Sequence, residues 1–307
     1  MKEPFIVAEE LCKHFGDNLA LDRVSFTVRQ DEVFGFIGPD GAGKSTLFEI
    51  MTTLLEPDSG EGYINGLSVS RDYAKIRSVI GYMPGRFSLY PDLSVRENLE
   101  FYARIFGSKI EDNYYLIEGI YKLLEPFAKR KAGALSGGMK QKLALCCALI
   151  HKPLALFLDE PTTGVDPVSR KEFWDNLVQL KEQGIPVLVS TPYMDEAIRC
   201  DRIAMIYKGR ILQSGSPRDI VAGFAGSILS VTGSDRRRIK QMVEGMDGVE
   251  SSYSFGEAVH VAVRDDATKA VAGLTKLLDG EVQHFDISHV PAGIEDCFLQ
   301  LMGREDA

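Results

Sequence analysis

The chain has 307 residues, of which 45% are hydrophobic, so it is long enough to form one large or two modest domains with a real core. Its formal net charge of −9 argues against a nucleic-acid binder that is held by a basic surface. The acidic N-terminus, MKEPFIVAEE, lacks the apolar run of a signal peptide, and no stretch approaches the ~18 apolar residues of a transmembrane helix.

The first half of the chain predicts strands followed by a helical segment. Apolar and alternating runs predict strands at residues 5–7, 24–28 and 33–37, and the third strand leads into a glycine-rich loop. A helix is predicted at 44–55. Apolar residues at helical spacing then predict a helical insertion at 93–135.

The segment 153–211 alternates strands and helices, which implies a parallel sheet covered by helices. Its helices are predicted around 171–183 and 194–200. The residues 208–210 (KGR) are predicted to form the tight turn of a terminal hairpin.

Beyond Ser216-Pro217 the pattern changes to that of a small α+β unit. The order strand, helix, hairpin, helix, strand matches a ferredoxin-like arrangement. The predicted elements are a strand at 228–233, a helix at 235–246, a hairpin at 249–263, a helix at 267–278 and a strand at 282–287. An amphipathic helix at 293–302 is predicted to follow.

The glycine-rich segment after the third strand is a phosphate-binding loop. Its glycines let the backbone curl so that successive N–H groups point into one concavity at a helix N-terminus. Lys44 supplies a point charge between the β- and γ-phosphates, and the Ser45 hydroxyl is placed to ligate Mg²⁺. The predicted nucleotide-binding residues of the loop are Gly38, Asp40, Gly41, Ala42, Gly43, Lys44, Ser45 and Thr46.

A second motif, LALFLDEP, is an apolar strand that ends in Asp159 and Glu160. A carboxylate at the first position can hold Mg²⁺ through water, and the next can polarise an attacking water. Alone, the pair could be two solvated acids. The phosphate loop upstream favours Asp159 as a metal residue and Glu160 as the catalytic residue.

A third motif, LSGGMKQ, opens an apolar helix between the other two. Ser136 is a good N-cap, and Gly137 and Gly138 expose backbone N–H groups at the positive end of the helix. As structure alone, this segment is simply a well-capped helix.

In this order, the three motifs resemble the ATP-binding cassette (ABC) ATPases. The resemblance implies an ATPase that uses ATP and Mg²⁺ in a head-to-tail dimer. It implies that the signature residues Ser136, Gly137, Gly138 and Met139 face the ATP held by the opposite subunit; Met139 stands where glutamine is commoner.

The resemblance assigns two further residues. It places Phe15 at the aromatic that stacks on adenine, although by sequence alone Phe15 could equally be a core residue. It places Asp166 in the D-loop, which communicates across the dimer.

At two positions the chain departs from the family. Gly85 stands where a glutamine senses Mg²⁺ and links to the membrane subunit, and Pro192 stands where a histidine contacts the γ-phosphate. Neither residue can replace the missing group, and a cation at Arg86 is a poor substitute beside Mg²⁺. The site is therefore expected to bind ATP but to hydrolyse it weakly. The alternative is that both losses are tolerated, since removing one positioning group typically lowers a rate by about 10²–10³-fold without abolishing it.

The segment 292–301 (AGIEDCFLQL) resembles the closing helix of ATPases that drive ABC-2-type exporters, and we expect it to have a packing role. The resemblance then implies an integral membrane permease and a second ABC ATPase subunit as partners, and it places the chain at the cytoplasmic face of the membrane. The two departures at Gly85 and Pro192 favour a heteromeric pair, with a homodimer possible, and the acidic net charge argues against nucleic acid as a partner. Five scattered cysteines without a C-x-x-C pair fit a reducing cytosol.

The predicted fold class is α/β, a P-loop ABC ATPase core with a β-subdomain and a helical insertion, plus a small α+β ferredoxin-like C-terminal domain. The nucleotide-binding domain is predicted at 1–218, with a helical subdomain at about 87–140, and a regulatory or dimerisation domain at 226–307. Two alternatives stay open. One is an ATP-binding scaffold that does not hydrolyse ATP, and the other is a soluble ABC-type ATPase unrelated to transport.

Overall fold

A computed structural model describes residues 4–264 and 267–306 of the chain. The chain divides into two units, one that ends at Ser216 and one that begins at Pro217. The predicted domain limits, 218 and 226, stay predictions, and the structure places the helix Pro217–Ala222 in the second unit. Among the described residues, no helix is both long enough and apolar enough to cross a membrane.

The strands of the first unit form two sheets. The antiparallel sheet, in spatial order β2-β1-β4-β5, contains β1 (Ile6–Phe15), β2 (Asn18–Val28), β4 (Ser59–Ile64) and β5 (Leu67–Ser68). The second sheet, in spatial order β10-β9-β3-β8-β7-β6, contains β3 (Val33–Ile37), β6 (Ile80–Met83), β7 (Ala155–Asp159), β8 (Val187–Thr191), β9 (Arg202–Tyr207) and β10 (Arg210–Gly215). Only β10 runs antiparallel to its neighbour, so the carboxyl ends of β3, β6, β7 and β8 share one edge.

The helices of the first unit cover these sheets and form the predicted insertion. They are α1 (Lys44–Met51), α2 (Tyr73–Val79), α3 (Val95–Ile105), α4 (Ile110–Tyr121), α5 (Gly137–Leu149) and α6 (Pro167–Glu182). Short 3-10 helices lie at Glu125–Phe127, Ala132–Ala134 and Met194–Arg199. The helical insertion is confirmed, and its first helix begins at a full capping box between Ser94 and Glu97.

Three predicted helices of this unit differ from the observed ones. The helix expected to reach residue 55 ends at Met51, where the Thr52 hydroxyl donates to the Phe48 carbonyl at 2.7 Å. The helix expected from about 171 begins at Pro167, because Asp166 caps it and proline suits the first helical position. The segment at 194–200 is a 3-10 helix rather than an α-helix.

The second unit has the predicted ferredoxin-like order. Its elements are α7 (Pro217–Ala222), β11 (Ser227–Gly233), α8 (Arg236–Val243), β12 (Val249–Phe255), β13 (Ala258–Val263), α9 (Ala267–Leu278), β14 (Phe285–Val290) and α10 (Ile294–Glu305). The sheet is antiparallel in the order β12-β13-β11-β14. The last strand begins three residues later than predicted, because Val282 packs into the core directly after α9.

The two sheets of the first unit share an aromatic core. Phe36 on β3 lies 4.8 Å from Phe26 and 5.9 Å from Phe48, measured between ring centroids, and Phe48 contacts Phe157 at 6.1 Å. Phe36 is fully buried. This core fixes the end of β3, from which the phosphate loop leaves.

We expect Phe36→Ala to lower the free energy of unfolding by about 3–5 kcal/mol, because a buried ring is replaced by a cavity. Denaturant unfolding followed by the fluorescence of Trp174, the single tryptophan of the chain, measures this in the first unit. Phe15→Ala is the matched control, since this ring is 50% exposed and should cost less than about 0.5 kcal/mol. Equal losses in both variants would contradict the aromatic core.

Candidate functional site

The phosphate loop lies between the end of β3 and the start of α1, as predicted. Gly41 and Gly43 have φ angles of 78° and 103°, which L side chains rarely adopt. Gly38 is required for a different reason, since a Cβ there would lie 2.2 Å from the Ile206 carbonyl oxygen on β9. The loop is thus bent by two glycines and held against the sheet by a third.

Lys44 is buried at the centre of this loop. Its Nζ donates to the carbonyls of Gly38 at 2.9 Å and Pro39 at 3.0 Å, and it lies 3.1 Å from the Glu160 Oε1. Only 3% of Lys44 is exposed. A buried ammonium that already contacts carbonyl and carboxylate oxygens is suited to receive phosphate oxygens.

The residues around Lys44 enclose a cavity of about 380 Å³. It is lined by Phe15, Asn18, Ala20, Asp40, Gly41, Gly43, Lys44, Ser45, Thr46 and Glu160. Phe15 therefore lies at the same cavity as the phosphate loop and is half-exposed, with the Lys13 Nζ 5.9 Å from its ring centroid. An exposed aromatic ring at this place suits stacking on a flat base. Sequence analysis missed Asn18 and Ala20, which carry no motif and reach the cavity only through the fold.

Glu160 follows β7 in a strained backbone conformation, with φ 48°. Its N–H donates to the Ser190 Oγ at 3.0 Å and to the Ser190 carbonyl at 3.1 Å. The Ser190 hydroxyl in turn donates to the Asp159 Oδ1 at 2.5 Å. Ser190 thus holds both acids; its signal in the sequence was a polar residue in the apolar run PVLVST.

Asp159 and Ser45 fit the demands of a Mg²⁺ site. Asp159 is 4% exposed, and one of its oxygens accepts from Ser190. Ser45 is the second residue of α1 and lines the cavity. A hydroxyl and a carboxylate are oxygen donors of the kind that Mg²⁺ prefers. Burial and the Asp159 charge raise the pKa of Tyr82, which therefore stays a neutral phenol beside the carboxylate.

The two departures from the family lie at this same edge of the sheet. A Cβ at Gly85 would lie 3.3 Å from the Asp159 carbonyl oxygen and 3.7 Å from its Oδ2, so this position directly adjoins the expected metal residue. Pro192 directly follows β8, whose Ser190 is in register with Asp159. Arg86 is exposed and forms no ion pair within the described ranges, so it does not fill the gap at Gly85.

The signature residues lie outside this cavity. Ser136 caps α5 by accepting from the Met139 N–H at 3.4 Å. Close packing explains the glycine at position 138, because a Cβ there would lie 2.7 Å from the Ser169 Oγ on α6. Asp166 caps α6 by accepting from the Ser169 N–H at 3.0 Å, and this bond lowers the pKa of Asp166.

The signature helix therefore packs against the start of α6, next to Asp166. Neither the signature residues nor Asp166 line the nucleotide cavity described above. Ser136 and Gly137 are exposed. They present N–H groups to solvent at a helix N-terminus, where an anion is favoured.

Comparison with known proteins identifies relatives of this chain that are ATP-binding proteins of ABC transporters. Residues 21–163 match the model of the ABC transporter family. The Nod factor export ATP-binding protein I of Burkholderia lata is 35% identical over 302 residues, which cover 95% of each chain. The probable multidrug ABC transporter ATP-binding protein YbhF of Escherichia coli K12 is 44% identical over 222 residues, which cover 72% of this chain but 38% of that relative.

Solved structures show the same cassette. A solved structure of an ATP-binding subunit of an ABC transporter aligns with a TM-score of 0.65 and 27% identity, over 71% of this chain and 92% of that one. The cassette MJ0796, a dimer in a post-hydrolysis state with ADP and Pi, aligns with a TM-score of 0.62 and 27% identity, over 69% and 98%.

The fold is that of a P-loop ATPase, and its candidate site lies at the carboxyl edge of the parallel strands. The chain belongs to the ABC transporter family, as an ATP-binding subunit with the fold of an ABC ATPase cassette. The predicted family and fold class are confirmed.

Proposed function

We propose that this chain is an ATPase subunit of an ABC exporter whose own site binds Mg-ATP firmly and hydrolyses it slowly. Its signature residues complete the site of a second ATPase subunit, and the pair acts on an integral membrane permease at the cytoplasmic face. A heteromeric pair is favoured, because a partner with a full set of catalytic groups would supply the competent site.

One observation carries this proposal. The binding groups Lys44 and Ser45 are intact at the cavity, while Gly85 and Pro192 remove two side chains from the edge where Asp159 and Glu160 lie. The groups proposed to bind the nucleotide are therefore present, whereas two groups that would support hydrolysis are absent.

The names of the relatives support the transport role. Two relatives of this chain are named for Nod factor export and for a multidrug ABC transporter. The MJ0796 cassette is a dimer, which supports a paired arrangement here. The exposed Ser136 and Gly137 suit contact with a nucleotide held by another subunit.

The residues of the site divide the work as follows. When ATP binds, its phosphates take the place of the Glu160 carboxylate beside the Lys44 ammonium. The released carboxylate then accepts a proton from a water. Ser45 and Asp159 would hold Mg²⁺, which neutralises charge on the β- and γ-phosphate oxygens. Phe15 stacks on the base, and this contact is tolerant of adenine or guanine.

Steady-state ATP hydrolysis by the purified chain, beside Glu160→Gln and with ATP binding measured in parallel, tests the proposal. We expect firm binding by both proteins, slow turnover by the native chain, and turnover at least about tenfold lower in Glu160→Gln because the base is lost. Glu118→Gln, a change to an exposed acid on α4 that pairs with the exposed Lys122, is the control and should not lower turnover.

Turnover at the rate of an ordinary transport ATPase would overturn the depleted site and favour a self-sufficient homodimer. Firm binding with no turnover in either protein, even with a partner subunit added, would favour the non-hydrolysing scaffold. Absence of ATP binding would overturn the function as a whole.

A further inference from the structure

A buried carboxylate, Glu196, joins three segments around the catalytic edge. It is 3% exposed and lies in the 3-10 helix that follows Pro192. Its Oε1 accepts from the Thr162 hydroxyl at 2.8 Å, and its Oε2 accepts from the Thr191 hydroxyl at 2.6 Å. Both threonines are buried, so these bonds are shielded from water.

The third segment is α6, which reaches Glu196 through Arg170. The Arg170 Nε lies 3.2 Å from the Glu196 Oε1, and its guanidinium lies 4.3 Å from the centroid of the Tyr193 ring. Its outer nitrogen donates to Asp195 at 2.9 Å on the solvent side. Arg170 is one turn from Asp166, the cap of α6.

These contacts fix the position of the segment that carries Glu160. Ser190 holds the Glu160 N–H on one side, and Thr162 is tied to Glu196 two residues further on. Between Thr162 and α6 the chain makes one turn, closed by the Val165 N–H to the Thr162 carbonyl at 3.1 Å. A loop pinned at both ends holds its carboxylate in a narrow range of positions.

We propose that Glu196 and Arg170 form a latch that positions Glu160 and links the nucleotide cavity to the start of α6. Removal of Glu196 would leave Arg170 and two threonine hydroxyls without their shared partner. In the described residues, the Thr162–Glu196 hydrogen bond joins the loop after β7 to the loop after β8, in addition to the bond between Glu160 and Ser190. The inference rests on the proposed function, because it assigns a task within that site.

The test compares two carboxylates that contact the same guanidinium. Glu196→Gln keeps the side-chain volume but removes the buried charge, whereas Asp195→Asn makes the same chemical change on a side chain that is 73% exposed. Thr162→Val removes only the hydroxyl link to the Glu160 loop. Thermal unfolding of each variant confirms that it is folded before activity is measured.

Two readouts are used with ATP as the probe. Trp174, one turn beyond Arg170 on α6 and the single tryptophan, reports whether ATP binding reaches this helix. We expect ATP to change its emission in the native chain and in Asp195→Asn, and most of that change to be lost in Glu196→Gln and Thr162→Val. Turnover in the last two should fall by about 10–100-fold with ATP affinity within about twofold, as for displaced but intact groups.

The outcomes separate the latch from the function. If the native chain binds ATP and Trp174 does not respond, or if Glu196→Gln responds like Asp195→Asn, the latch is overturned and ATP binding stands. A loss of ATP affinity equal to the loss of turnover would also overturn it, because that is the result of general unfolding of the site. If the native chain binds no ATP, the proposed function fails instead.

Discussion

The double substitution Gly85→Gln with Pro192→His is expected to raise ATP hydrolysis by the purified chain by about 10²–10³-fold, the range typical of a single lost electrostatic group. Both changes are sterically reasonable. The Gly85 backbone is not in the left-handed region, and a Cβ there requires the Asp159 carbonyl to move by only a few tenths of an ångström. Proline occupies a φ that any L residue adopts, so histidine fits the Pro192 backbone.

The physical reason for the gain is local. A glutamine amide at 85 would extend beside the Asp159 carboxylate, and an imidazole at 192 would stand at the end of β8 next to the Glu160 segment. Each returns a polar group to the edge where charge develops during phosphoryl transfer. The measurement is steady-state phosphate release by the native chain, each single variant and the double variant.

Gly85→Ala with Pro192→Ala is the matched control, because it changes the same backbones without restoring an amide or an imidazole. A folded double variant that binds ATP but gains no turnover would show that these two positions do not limit the site. Equal gains in the alanine control would assign the effect to backbone changes instead.

Lys44→Met is expected to weaken ATP binding by about 10²–10³-fold, because hydrogen bonds to a charged group are each worth roughly 1.5–3 kcal/mol. Methionine keeps most of the apolar stem in a position that is 3% exposed. The change also leaves the Glu160 carboxylate without its cation, 3.1 Å away in the native chain, so that it repels the polyphosphate. Equilibrium binding of a fluorescent ATP analogue measures the loss.

A second variant separates these two causes. Lys44→Met combined with Glu160→Gln should bind ATP more tightly than Lys44→Met alone, since the repelling carboxylate is gone. Lys75→Met, on a side chain that is 72% exposed, is the control and should bind ATP normally. Unchanged affinity in Lys44→Met would show that this lysine does not reach the phosphates.

Most of the secondary structure followed from local patterns. The strand before the phosphate loop, the helical insertion and the ferredoxin-like order were predicted and are confirmed. No element was predicted for residues 59–83, where the structure has β4, β5, α2 and β6, and the segment at 194–200 is a 3-10 helix. The other errors lie at element ends. The start of α6 was placed too late although Asp166-Pro167 is itself a start signal, and Val282 was assigned to a strand because an apolar residue in a buried turn looks the same in sequence.

The residues of the candidate site also fall into two groups, those found from the sequence and those found only in the structure. The sequence alone determined the phosphate loop and the Asp159-Glu160 pair, because each depends on residue types within one short segment where spacing sets geometry. The departures at Gly85 and Pro192 were recognised only through the resemblance to the ABC ATPases. The roles assigned to these residues stay predictions until they are measured.

Only the tertiary structure decided which distant residues share the site. It brought Asn18 and Ala20 to the phosphate loop, set Gly138 against Ser169, and placed Glu196 between Thr162 and Arg170. These contacts join segments that are far apart in the chain, and no local pattern encodes them. They depend on strand order and close packing, which assemble the cavity and the latch after each segment has its own conformation.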